Sequence, residues 1–167
     1  MLRTQRTALI AAVTFIASSP VSGIETPVVF VSIPPQKNMV ERLSGDSVQA
    51  RVMLPPGASP ATYEPTPRQM VAIETAQAYL QIGAVFEAPI LARISSLIPD
   101  LRVVDCRSGV VLEPMQEHDH GHHANALDPH IWLDPARLKI VARTTAKTLQ
   151  ELMPGKAAEI DGALQEL

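Results

Sequence analysis

Four imidazoles stand within six residues, at His118, His120, His122 and His123, with Glu117 and Asp119 among them. Neutral imidazole is a borderline-soft nitrogen donor suited to zinc, copper and nickel. A flexible His-rich tract is a metal-collecting device. The plain alternative is a solvated polar loop with no ligand. A mobile loop must also lose conformational entropy when it closes on an ion, which keeps its affinity modest.

The fifth imidazole, His130, lies apart, in Asp128-Pro129-His130-Ile131-Trp132-Leu133-Asp134-Pro135. Prolines on both sides stiffen this loop, so the ring can be held in place with a lone pair presented. Asp128 could orient the ring as a second-layer acceptor, and Asp134 could cap the helix that follows. Without its flanking pattern, such a His reads as a satisfied structural residue. A second stiff loop runs from Pro55 to Pro67 and carries one carboxylate, Glu64. Glu64 could ligate a metal, cap a helix or face water. Thr66 before Pro67 has the grammar of an N-cap followed by a first-turn proline. Cys106 has no second cysteine to pair with, and at the end of an apolar run it reads as a small buried side chain.

The elements that must carry these loops follow from hydrophobic pattern. Val28–Ser32, Val48–Leu54, Ala78–Ile82 and Leu101–Asp105 read as strands. Gln36–Leu43 reads as a helix, as does the stretch from Thr66 to about Gln77. A third helix is marked by Ile90, Ile94 and Leu97. Ser108–Leu127 has no periodicity and reads as a long loop. Asp134 opens another helix with the stripe Leu138, Val141, Thr145, Leu149 and Leu152; Pro154-Gly155 breaks it, and Lys156–Leu167 begins one more. Strands alternating with helices predict an α/β fold, a parallel sheet with helices on both faces. In such sheets ligands bind beyond the carboxyl ends of the strands, where the two stiff loops fall.

Composition narrows the class. The formal net charge is −3, and Arg3 and Arg6 fall in the first residues. This balance argues against nucleic acid as a partner. Arg3 and Arg6, the apolar run Ala8–Ala17 and the small residues up to Gly23 have the layout of a secretory signal peptide. The apolar run is too short to span a membrane. Residues 1–23 are thus expected to be removed on export to the periplasm. No nucleophile elbow, phosphate loop or HExxH helix marks an enzyme.

Ile33-Pro34-Pro35-Gln36, Tyr63-Glu64-Pro65-Thr66-Pro67, the His-rich loop and Asp128–Pro135 occur in one order. In that order they resemble the zinc- and manganese-binding solute receptors of ABC importers. The resemblance implies two α/β lobes joined by a long helix, with metal held between them and passed to a membrane permease. Residues 24–153 would be the N-terminal lobe, with the His-rich loop at 117–123. Residues 154–167 would start the connecting helix, with the second lobe absent through truncation, frameshift or a split receptor. Zn2+ is the expected cargo and Mn2+ the alternative. His130 matches a ligand of that family. Ala61 departs from it, standing where much of the family has a ligand His, and Glu64 or a loop imidazole could substitute. A stand-alone His-loop metal buffer and a non-functional truncated receptor are the alternatives.

Overall fold

Residues 26–114 and 127–167 are described by a computed structural model. The expected signal peptide and His118, His120, His122 and His123 lie outside the described residues. Four short strands, β1 (Val28–Val31), β2 (Gln49–Val52), β3 (Ala78–Gln81) and β4 (Arg102–Asp105), form one sheet in the order β2-β1-β3-β4. Every neighbouring pair is parallel. Five α-helices connect and follow them: α1 (Pro34–Ser44), α2 (Pro67–Ile73), α3 (Glu87–Leu97), α4 (Pro135–Leu152) and α5 (Ala157–Gln165).

Successive side chains on a strand point to opposite faces. Phe30 and Val31 on β1, and Tyr79 and Leu80 on β3, are all buried. Both faces of the two central strands are therefore covered, as the continuous apolar runs predict for a parallel sheet. Edge strand β4 differs. Arg102 and Val103 are exposed, and Arg102 pairs with Glu151 on α4. Helices α1, α4 and α5 pack on one another, with Ile160 of α5 buried. Among the described residues no helix is long and apolar enough to cross a membrane.

Three local readings change. Pro34 and Pro35 open α1 rather than preceding it, because a first-turn proline lacks only an N–H that would have no helical partner. Helix α2 ends at Ile73, short of Gln77. Gln77 is taken by the sheet instead: its N–H donates to the Val28 carbonyl, and its side-chain oxygen accepts from Val28 N at 2.6 Å. Leu97, on the expected apolar stripe of α3, is 60% exposed; Ile90 and Ile94 carry the burial.

The strand order places the switch point between β1 and β3, because the chain builds β2 on one side of β1 and returns to lay β3 on the other. Buried polar groups stitch this point together. Gln36 Oε1 accepts from Ser32 N at 3.0 Å, its amide donates to the Leu80 carbonyl at 3.0 Å, and the Ser32 and Tyr79 hydroxyls lie 2.9 Å apart. No buried side-chain nitrogen or oxygen among the described residues lacks a partner, so the stitching avoids the cost of an unsatisfied buried group.

Candidate metal centre

The loop after β2 is braced from within. Gly57 turns it at φ +83°, a value that a Cβ disfavours. The Tyr63 hydroxyl donates to the Met53 carbonyl, and the Gln69 amide donates to the same oxygen at 2.8 Å. The Tyr63 ring meets Phe86 edge-on at 5.5 Å. Thr66 Oγ1 accepts from Gln69 N at 3.3 Å and so caps α2. Ala61 and Glu64 are exposed on this frame and line a cavity of about 560 Å³ between the loop and α3.

The far wall of that cavity hangs on Glu87. This carboxylate is 2% exposed and accepts from Ile82 N at 2.8 Å and from Gly83 N at 2.6 Å. Burial pushes its pKa up, against the backbone donors that favour the charged form. Gly83 sits at φ +82°, and a Cβ there would run into the Arg107 guanidinium. Arg107 is held by Asp105 at 2.8 Å and keeps the Asp105 pKa low.

The loop before α4 carries His130. Asp128 Oδ1 lies 2.9 Å from His130 N and 2.7 Å from His130 Nδ1. The backbone N–H of His130, followed by its ring, holds the Asp128 carboxyl below the usual carboxylate range. An ionised carboxylate only accepts. Nδ1 therefore carries the proton, and in the neutral ring Nε2 keeps its lone pair. The side chain is 53% exposed, with Trp132 edge-on at 5.2 Å. Ile131 is fully buried and pins the short 3-10 turn Ile131–Leu133 to the core. Asp134 caps α4, accepting from Ala136 N at 2.8 Å and Arg137 N at 3.4 Å. Arg137 ties Asp134 to Glu113. An antiparallel bridge joins Pro114 to Leu127, and Asp128 N donates to the Glu113 carbonyl at 2.8 Å. Pro114 and Leu127 are thus brought together beside Asp128.

The structure places Ala61 and Glu64 together on the cavity, and His130 is not among that cavity's lining residues. Among the described residues no group of three or more His, Cys, Asp or Glu side chains is arranged to hold a metal ion. Cys106 is fully buried, and burial pushes its thiol up to about 12, so it offers no thiolate at neutral pH. Sequence pattern does not mark Arg137 or Glu87 as part of the frame. Glu87 at the first position of α3 and Arg137 three residues after its cap are acceptable surface residues by pattern, and only the fold turns them into struts.

Residues 29–167 match the family described as "Zinc-uptake complex component A periplasmic". A crystal structure of ZnuA superposes with a TM-score of 0.76 at 34% identity, covering 85% of this chain and 53% of that one. The manganese-binding lipoprotein MntA of Halalkalibacterium halodurans is 27% identical over 134 residues, 78% of this chain and 42% of the relative. The zinc-binding lipoprotein AdcA of Streptococcus pneumoniae serotype 4 is 25% identical over 116 residues, 64% of this chain and 23% of the relative. The chain spans about half the length, or less, of the relatives it matches. Proteins of this kind are solute receptors for transport, not enzymes. The chain belongs to the periplasmic zinc-uptake component A family of metal-binding receptors.

Proposed function

We propose that this chain captures a divalent transition metal outside the cytoplasm, zinc first and manganese next, for delivery to the membrane permease of an ABC importer. The observation that carries the reading is the His130 ring, fixed through Nδ1 by Asp128 at 2.7 Å on a half-exposed side chain. Metal-ligating imidazoles are commonly oriented in this way by a carboxylate on the other ring nitrogen. His118, His120, His122 and His123 supply the remaining donors. The bridge Pro114–Leu127 supports this, because it joins two described residues that flank their stretch of sequence, one of them next to Asp128. Residues 1–23 are the export signal, 24–153 the N-terminal lobe and 154–167 the start of a connecting helix. Glu64 stands apart from His130 as a carboxylate on the cavity wall.

A second reading is a stand-alone metal buffer. Ala61 has no donor atom, and no three-donor cluster exists among the described residues, so the His tract could act without a shaped site. A multi-site micromolar isotherm would favour the buffer, and a single tight site the receptor. The direct experiment is metal analysis of the protein recovered from the periplasm. Zinc in preference to manganese is expected. Protein that emerges without metal, and takes up neither ion on dialysis, would contradict the proposal.

A further inference from the structure

Arg137 is enclosed beside the loop that carries His130, its side chain only 17% exposed. Its guanidinium serves two carboxylates. It pairs with Glu113, and its Nε lies 3.4 Å from Asp134 Oδ2. The Arg137 backbone N–H also donates to Asp134 Oδ1 at 3.4 Å. A guanidinium presents its donors in a rigid planar fork. A fork that spans two partners therefore sets the distance between them, and here it ties Glu113 to the first turn of α4.

Glu113 matters because of what its backbone holds. Its carbonyl accepts from Asp128 N at 2.8 Å, beside the isolated bridge Pro114–Leu127. This pairing lies outside the four-stranded sheet. Pro114 and Leu127 are both exposed, so burial does not hold it together. So short an isolated pairing is marginal by itself, and Arg137 gives it a second attachment. From Asp128 the path to the ring is one step: Oδ1 accepts from His130 N at 2.9 Å and lies 2.7 Å from Nδ1. On the other side of His130 the loop is already fixed by Ile131, which is fully buried. The Asp128 side is the one that depends on the clasp.

We propose that Arg137 is a positioning residue for His130. By holding Glu113 against α4 it keeps the Glu113 carbonyl where it receives Asp128, and Asp128 keeps the ring proton on Nδ1, leaving the Nε2 lone pair to donate. A guanidinium has no acceptor atom, so Arg137 acts through these two residues and not as a ligand. The effect on the ring stands on this geometry alone. Its consequence for zinc rests on the metal-capture reading.

The first readout needs no metal. Nitrogen NMR of the metal-free full chain at about pH 8, where imidazole is neutral, reports which ring nitrogen of His130 carries the proton; His130→Ala assigns the signals. The native chain should show the Nδ1–H tautomer alone. Arg137→Ala should mix the two tautomers, and so should Glu113→Ala, which cuts the same clasp at an exposed residue and carries the test if Arg137→Ala fails to fold. Combining them should add nothing, because both act on one link. Glu151→Ala is the control: it breaks the Arg102–Glu151 pair, which also ties a segment to α4, and should leave the tautomer pure. An unmixed tautomer in the clasp variants, or a mixed one in the control, overturns the proposal. The second readout is zinc titration followed by emission of Trp132, the chain's one tryptophan, whose ring lies 5.2 Å from that of His130. Losing a direct partner of a ligating His weakens metal binding about 10–100-fold; Arg137 acts one step further out, so its midpoint should rise about fivefold. Mixed tautomers with an unmoved midpoint overturn the consequence for zinc. Trp132 emission indifferent to zinc in the native chain, with the tautomers behaving as expected, keeps the role of Arg137 and removes His130 as a metal ligand.

Discussion

The loops at 55–66 and 128–134 are built on the same plan and equipped differently. Each is bounded by prolines, and each ends in a side-chain cap followed by a first-turn proline, Thr66-Pro67 in one and Asp134-Pro135 in the other. Each is braced by a strut that reaches back to an earlier segment, Tyr63 to Met53 and Arg137 to Glu113. Only the second carries an imidazole, and there a carboxylate two residues earlier aims it. The first presents a methyl group at Ala61 and opens onto a cavity. The frame that holds a donor is thus separable from the donor: caps, prolines and struts persist where no ligating atom is present.

The largest expected effect removes the equipped side of this pair. In a variant lacking residues 117–123, His130 is the last imidazole of the chain. His130→Ala in that background should weaken zinc binding at least a hundredfold, about 2.8 kcal/mol, by calorimetry. Retained affinity would mean that the two loops do not differ in the way proposed.

Next comes the wall that faces the first loop. Glu87→Gln presents an amide NH2 to the Ile82 or Gly83 N–H and should cost about 1–3 kcal/mol in denaturant unfolding. The pH trend has a definite sign. Burial raises the Glu87 pKa in the native state, so the native protein holds a proton that the unfolded chain has released. The Glu87 contribution is most favourable below the ordinary glutamate value and declines as pH rises through that value towards the raised one. Thermal melts from about pH 4 to about pH 8 should show this decline in the native chain and a flatter profile in the variant. Asp105, held low by Arg107, acts oppositely and at more acid pH, its contribution being lost as pH falls below the ordinary aspartate value.

Equipping the bare loop should have a smaller effect. With the His tract deleted, Ala61→His should tighten zinc binding about tenfold, roughly 1.4 kcal/mol, if both loops serve one ion. His130→Ala should then abolish the gain, because the effects of residues sharing an ion do not add. A gain that survives His130→Ala would show the loops to serve separate sites. The smallest effect concerns the caps. Asp134→Ala should cost about 1 kcal/mol and Thr66→Ala somewhat less, since Asp134 receives two backbone donors and Arg137 as well. Chemical denaturation would rank them.

Much of this frame was legible in sequence, for identifiable reasons. The runs at Val28–Val31 and Ala78–Gln81 are apolar on both faces, which a central parallel strand requires. The cap-then-proline pairs Thr66-Pro67 and Asp134-Pro135 open helices, whereas Thr26-Pro27, Ser59-Pro60 and Asp128-Pro129 do not. The helix ending at Ile73 was less legible, because its end is set by Gln77 pairing with Val28 in the sheet, forty-nine residues away in sequence. Nothing local announces Glu87 as a buried clamp, since a carboxylate at a helix start is ordinarily exposed. The cavity was equally silent: Glu64 and Arg93 line one space only because α3 folds back beside the β2–α2 loop. The His130 loop was readable because its parts are contiguous, with Asp128 and His130 two residues apart.

The most direct test is zinc calorimetry on the chain after removal of residues 1–23, with and without residues 117–123, at neutral pH and again below about pH 6. Coordination requires unprotonated imidazole, so acid should weaken binding by imidazoles generally. The account predicts zinc binding by the chain, most of it lost with the tract, a weaker single site remaining at His130, and both reduced in acid. Zinc binding unchanged in affinity and stoichiometry by the deletion, or no zinc binding by either protein at neutral pH, would contradict it.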